Sequence, residues 1–190
     1  MWIVDFLIYA PIALVVLYVV IIYNGLVRLR NNIDRCFANI EVVLKQRHSE
    51  VPRLVEVCKG IMKHEKTLFS DIAEARERVR QAGEDHDIRE LGHAETQIRQ
   101  AVYEIFSRAE AYPELKSNEN MLELQERISA LEDMIADRRE VFNESVRLNN
   151  TRIAQLPDLL LARLFRFVSY DYLRFESQSL QSVTISSLQD

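Results

Sequence analysis

Apolar residues are distributed along this 190-residue chain in two different ways. From Phe6 to Tyr23 every position is apolar or aromatic apart from Pro11. With Trp2, Ile3 and Val4 the run reaches the ~20 residues that cross the hydrocarbon core of a bilayer as a helix. Beyond Gly25 the apolar positions thin out and recur mostly three or four apart, the spacing of one helix face. A first series runs from Ile33 through Phe37, Ile40 and Leu44 to Phe69 and Ile72. A second runs from Ile88 to Tyr112 and is interrupted by Glu95, and a third runs from Leu124 to Ile153. Gly83 follows the first series, Pro113 in "YPELKSNEN" separates the second from the third, and Pro157 follows the third. Long amphipathic helices bury such stripes best against one another. The expected fold class is all-α: an N-terminal transmembrane helix continuing into an elongated antiparallel bundle of three to four long helices. The expected divisions are an anchor over 1–23, a bundle over 24–167, and an aromatic then polar tail over 168–190.

The flanks of the apolar run suggest its setting. Trp2 and Tyr9 near one end and Tyr23 at the other suit the aromatic belts of a bilayer's two interfaces. No Lys or Arg precedes the run and no small-x-small cleavage motif follows it, so a retained anchor is expected rather than a signal peptide. Asp5 lies before it, whereas Arg28, Arg30 and Arg35 follow. That asymmetry predicts a few N-terminal residues outside and residues 24–190 in the cytoplasm.

Pro52 leaves the topology open. It could begin a new helix after a turn at "RHSE", giving a hairpin, or kink one long helix. The apolar spacing continues across it through Leu44, Val51 and Val55 with no glycine nearby, which favours the kink. Residues 24–80 would then form a rod of about 85 Å, of which residues 86–112 cover only about 40 Å. On that reading Ile33, Phe37, Ile40 and Leu44 lack a partner within the chain and form a candidate assembly stripe. A homo-oligomer, or a protein partner at the membrane, is the consequence.

Composition narrows the partners. Charged residues make up 28% of the chain and the formal net charge is -5, and no basic stripe is interleaved with stacking aromatics, so nucleic acid is not expected. Cys36 and Cys58 are too few for a disulfide framework and read as small buried apolar residues, compatible with a reducing cytosol. Arg138 and Asn149 fall close to the third helix's apolar seam. A snorkelling side chain and a register-fixing amide are the structural readings there.

The segment "YNGLVRLRNNIDRCFANIEVVLKQRHSEVPRLVEVCKGIMKHE" carries a recognisable pattern: Tyr23-Asn24, Leu26-Val27, Leu29-Arg30-Asn31, Asp34, Leu44-Lys45 with Arg47, Pro52 with Leu54-Val55-Glu56, and Lys59-Gly60. It resembles the opening of the bacterial LemA family. "AYPELKSNENMLELQERISALEDMIADRREVFNESVRLNNTRI" is similar to the family's second block, and "QLPDLLLARLFRF" to its closing segment. The sequence departs from the pattern at Phe37, where tryptophan is usual, at Arg53 for asparagine, at Phe142 for tyrosine and at Arg166 for glycine. The resemblance implies a membrane-anchored helical bundle in bacteria, with no established catalytic activity.

Candidate chemistry is sparse. His64-Glu65 begins like a zinc-protease helix, but Leu68 stands where the second histidine belongs. His86, Glu90 and His93 are spaced so that one helix face could present all three to a metal, yet no fourth ligand has a recognisable spacing, and a solvated face is the default. No Gly-rich phosphate loop, Gly-x-Ser-x-Gly elbow or Cys-x-x-Cys occurs. No cofactor or catalytic residue is therefore assigned. The segment 157–176 is unusually apolar and aromatic, with arginines among its rings. Leu160, Arg163, Phe165, Arg166 and Phe167 form a candidate contact that could cap the bundle, lie on an anionic leaflet or meet another subunit. On the kinked-rod reading its start lies far from the membrane. Residues 177–190 have the polar composition of a loose tail.

These features favour a non-enzymatic, membrane-anchored scaffold or interaction protein that self-assembles or docks a partner through its bundle. Membrane shaping or lipid binding through the C-terminal aromatic-basic segment is the alternative, and a metal-dependent hydrolase ranks below both.

Overall fold

The computed structural model describes residues 2–85 and 87–175. Among them lie the helices α1 (Trp2–Lys59), α2 (Lys66–Glu84), α3 (Ile88–Ala109), the single turn α4 (Pro113–Lys116), α5 (Glu119–Ala154) and the short α6 (Asp158–Leu164), and no strand. The all-α expectation holds, with four long helices. Local chemistry sets several boundaries. Asp87 accepts from the backbone N–H groups of Arg89 and Glu90 at 3.0 Å to open α3, and Asn118 accepts from that of Met121 to open α5. Pro113 begins α4, where a missing N–H is harmless.

Beyond Gly25, α1 pairs with α5, which runs in the opposite direction. Cys58 meets Met121 at one end of the pair, Arg47 meets Glu132 in the middle, and the Asn32 side chain donates to Ser145 Oγ at 2.8 Å towards the other end. The α2–α3 hairpin lies against the distal part of this pair, with Val79 and Gly83 facing Glu41 and Leu44. Ile40, Leu54, Ile72, Ile98, Ile105 and Ile128 form the buried centre. Cys36 and Cys58 are free and buried, as expected, and burial pushes the Cys58 thiol up to about 11.

After α6, residues 168–175 form an extended strap along α5 and the start of α3. Two side-chain amides hold its backbone from both sides. Asn150 donates to the Tyr170 carbonyl (2.9 Å) and accepts from the Tyr170 N–H (3.0 Å); Asn143 does the same for Leu173 (3.0 and 2.9 Å). Asn149, expected to fix register in a helix seam, instead donates to the Val168 carbonyl at 3.3 Å. Arg138 reaches out of its seam to the Asn39 carbonyl. Leu173 is fully buried in the main core.

Three expectations are corrected. First, the rod to residue 80 does not form: α1 runs through Pro52 and stops at Lys59, and a turn over residues 60–65 sends α2 back along it. Proline in a helix interior removes one hydrogen bond, here to the His48 carbonyl, and packing of α1 against α5 on both sides offsets that loss. Second, the stripe Ile33, Phe37, Ile40 and Leu44 is not left uncovered. Ile33, Ile40 and Leu44 are buried, and Phe37 packs on Phe142 of α5 with ring centroids 5.7 Å apart. The 36-residue α5 returns along the whole of α1 beyond Gly25, so the premise for assembly through this stripe is gone. Third, Gly83 lies inside the last turn of α2 rather than after it. The polar tail expected over 177–190 lies outside the described residues.

Gly92 lets the strap approach, because a Cβ there would collide with the Arg174 carbonyl oxygen, whereas a Cβ on Gly60 meets nothing within 4 Å. Gly92→Ala is expected to destabilise the protein by about 1–3 kcal/mol and to speed amide exchange at Tyr170 and Leu173, with Gly60→Ala as a near-neutral control. Unchanged exchange in the strap of Gly92→Ala would show that the strap is not seated as described.

Candidate functional site

Most described side chains of residues 2–21 turn outward. Trp2, Tyr9, Leu14 and Ile21 are exposed, and the helix they belong to is long and apolar enough, by length and composition, to cross a membrane. Phe6 to Tyr23 spans about 27 Å at the helical rise, close to a bilayer's hydrocarbon thickness. Apolar burial against protein begins only at Ile22 and Leu26, which pack on Ala162 of α6. Arg28 and Arg30 follow as exposed positions.

The return of α5 brings α6 to this point. Gly25 leaves room at the junction: a Cβ there would stand 2.7 Å from Arg152 Nη2, and the guanidinium at the end of α5 would have to shift. Arg152 in turn pairs with the buried Asp158 in the first turn of α6. Tyr23, the last residue of the apolar run, packs edge-on against Phe165 (4.8 Å between centroids) and Phe167 (6.0 Å). The earlier expectation that this segment starts far from the apolar helix's exit is thereby corrected, because it depended on the rod.

Among the five residues predicted as a C-terminal contact, Phe167 is half-buried against the Ile22–Leu26–Ala162 cluster, while Leu160, Arg163, Phe165 and Arg166 face solvent. Leu160 and Leu164 lie four apart on α6 and so share one face; with Leu156, in the turn before it, they are 63%, 70% and 72% exposed. Arg166 has φ 58°, in the left-handed region. A non-glycine residue there costs about 1 kcal/mol relative to glycine, and this is the position at which the sequence departs from a glycine in the LemA pattern. The departures at Phe37 and Phe142 also have a structural counterpart, since the two rings touch. Neither carries the polar tip of tryptophan or tyrosine, so neither needs a hydrogen-bond partner inside the pair.

The largest polar feature inside the bundle was not predicted as a site. Arg47 of α1 is fully buried and pairs with Glu95 of α3 and, at 2.5 Å, with Glu132 of α5. Burial pulls its guanidinium below its ordinary value while Glu132 opposes the shift; it remains charged. The seam interruption at Glu95 was the available signal. Nearby, Glu50 joins Arg127 at 2.5 Å, a second pair between α1 and α5. A groove of about 390 Å³ opens beside His48, lined by Leu44, Val79, Gly83 and Leu91 with charged residues at its edge. His86 of the metal candidate lies outside the described residues, and Glu90 and His93 are exposed on α3. Among the described residues no group of three His, Cys, Asp or Glu could hold a metal ion.

His48 has a definite pH signature. Burial first, then Arg47 and Arg76, hold its ring neutral with a pKa of about 4, against an ordinary 6.5. Between those values the unfolded chain binds a proton that the fold does not. Stability is therefore complete above pH 6.5, falls as pH drops towards 4 and levels off below. Allowing for the ring's partial exposure, the loss is about 2 kcal/mol. Chemical unfolding in detergent at pH 7 and pH 4.5 is expected to show His48→Gln losing less stability than the wild type over that interval. An equal loss in both would mean that His48 is not buried against Arg47.

The family model for the LemA family matches residues 36–186. No curated protein matches the chain. The matched region starts on the bundle part of α1 and takes in α2 to α6 and the strap, well over half of the sequence. With its antiparallel helices, its closing helix seated at Gly25 and this match, the chain belongs to the LemA family.

Proposed function

We propose that this chain is a single-span, non-enzymatic scaffold that holds a helical bundle at a bacterial inner membrane, where the bundle docks a partner protein or another copy. One observation carries the reading: α1 passes without a break from the exposed apolar run, through Gly25, into the bundle core and on to Lys59. Anchor and bundle then share one helix, and a helix of this kind transmits position and orientation where a loop would not. In this reading residues 1–23 are the anchor, the helical bundle follows to 167, and 168–190 complete the chain. The N-terminus lies outside and the bundle in the cytoplasm, as Arg28, Arg30 and Arg35 suggest, with Arg163 and Arg166 on the same flank.

The absence of an enzyme assignment rests on two supports. The LemA family is not known as an enzyme family, and the buried charge of Arg47 is taken up by Glu95 and Glu132. With the Ile33–Leu44 stripe covered, docking falls to the outer surface. Val42 on α1 and Val141 on α5 are exposed there, and Val141 lines a shallow cleft with Asn39 and Arg138.

Sidedness and docking can be read in one set of single-cysteine variants lacking Cys36 and Cys58. A membrane-impermeant maleimide applied to cells with a permeabilised outer membrane is expected to label Asp5→Cys but not Ser117→Cys, which reacts only after the inner membrane is opened. Reversed labelling would overturn the orientation. Crosslinking from Val42→Cys and Val141→Cys in native membranes is expected to give a defined adduct with a second copy or one protein; monomers alone from both positions, with no co-purifying protein, would contradict the scaffold reading.

A further inference from the structure

We propose that α6 is an interfacial foot: its exposed leucine face lies in the headgroup–acyl boundary of the bilayer that α1 crosses, with Arg163 and Arg166 on lipid phosphates. The proposal rests on the anchor reading above and names the lipid surface as the occupant of this face.

Position is the first argument. The rings of Tyr23 and Phe165 touch, and Ala162 packs on Ile22 and Leu26, so α6 sits at the level where the apolar run ends. An aromatic residue at that level belongs to the interfacial belt, and what stands beside it shares its depth. The exposed face of α6 is thus continuous with the lipid-facing surface of the anchor, not an isolated patch on the bundle.

Distribution is the second. On the bundle, Val42 and Tyr103 stand on separate helices, and Met134, Val141 and Leu148 are spaced seven apart along α5 with Asp137, Glu140 and Glu144 between them. Leu156, Leu160, Leu164, Phe165 and Val168 instead fall within one short stretch, and Leu160 and Leu164 share a face of α6. Scattered single residues are ordinary, whereas a concentrated patch marks a contact surface.

Charge is the third, and it selects the lipid surface over a protein groove. Between residues 159 and 170 there is no Asp or Glu, while Arg163 and Arg166 are exposed, and Arg28 and Arg30 stand exposed on the adjoining turns of α1. The one acidic residue of α6, Asp158, is already paired with Arg152. A short apolar face rimmed by unopposed arginines is suited to anionic headgroups, with the long side chains reaching from the boundary to the phosphates. Arg166 adds weight, since it holds a left-handed conformation that suits glycine better. A bed for α6 would also fix the tilt of the bundle, because α6, α5 and α1 are locked together through Arg152 and Gly25.

The test uses the full-length protein in vesicles of phosphatidylcholine with phosphatidylglycerol, in a Trp2→Phe background that removes the sole tryptophan. Reporters are Leu160→Trp on the foot and Leu122→Trp near the far end of the bundle, both at exposed positions. Flotation with the vesicles reports the anchor. Quenching by lipids brominated along the acyl chain reports the foot. Leu160→Trp is expected to be quenched several-fold more than Leu122→Trp. The quenching should rise with the phosphatidylglycerol fraction, and Arg163→Gln with Arg166→Gln should flatten that rise. If the protein floats but Leu160→Trp and a second reporter, Leu164→Trp, are quenched no more than Leu122→Trp, the foot is overturned and the anchor stands. Quenching-insensitive emission at both foot positions that shifts to the blue with protein density would assign the face to a second copy and equally overturn the lipid proposal. Failure to float would remove the anchor reading itself.

Discussion

Everything in this molecule follows from the antiparallel contact between α1 and α5. It begins where Cys58 faces Met121 and ends where Gly25 accommodates Arg152. Because α5 has 36 residues, it covers the half of α1 beyond Gly25 and delivers the chain back to the exit of the apolar run. A shorter α5 would leave Ile33 and Phe37 open and would leave α6 stranded on the side of the bundle. The α2–α3 hairpin is an addition to this pair and covers only its distal part; the strap over residues 168–175 fills beside α5 where the hairpin stops.

Charge placement keeps that contact in register. Arg47 binds α1 to α3 through Glu95 and to α5 through Glu132, and Glu50 binds α1 to α5 through Arg127. A buried ion pair adds little net stability over a well-packed apolar alternative, but loss of one partner leaves a charge stranded in the core. A bundle slipped by one helical turn would do that to Arg47, so the cluster disfavours alternative registers of the same apolar stripes. Next to it His48 is kept neutral, which ties the stability of the same region to pH.

The helices themselves were legible from apolar spacing, and the leucines, rings and arginines of α6 stand out in the sequence. Their location was not legible, because it depends on where α1 ends. The helix runs on through Pro52, as its apolar spacing suggested, because a proline inside a helix packed against a partner on both sides is tolerated. The break lies at Gly60, in "KGIMKHEK", where the apolar spacing also stretches from Met62 to Phe69. Glu95 could be seen as a misfit in its own seam, whereas its partner Arg47 lies 48 residues earlier on another helix, a pairing that periodicity does not encode. The strap was hidden for a related reason: its hydrogen bonds run from asparagine side chains to backbone, and Asn143, Asn149 and Asn150 look like ordinary polar positions on a helix.

The account stands or falls on α1 being one rigid helix from the apolar run into the bundle core. Spin labels at Val20→Cys and Val42→Cys, both exposed positions, in full-length protein lacking Cys36 and Cys58 and reconstituted in a bilayer, measure this by pulsed dipolar spectroscopy. A continuous helix places the two backbone positions about 33 Å apart, and one narrow distance distribution near that value is predicted. A broad or two-peaked distribution would show a joint near Gly25 and would contradict the account.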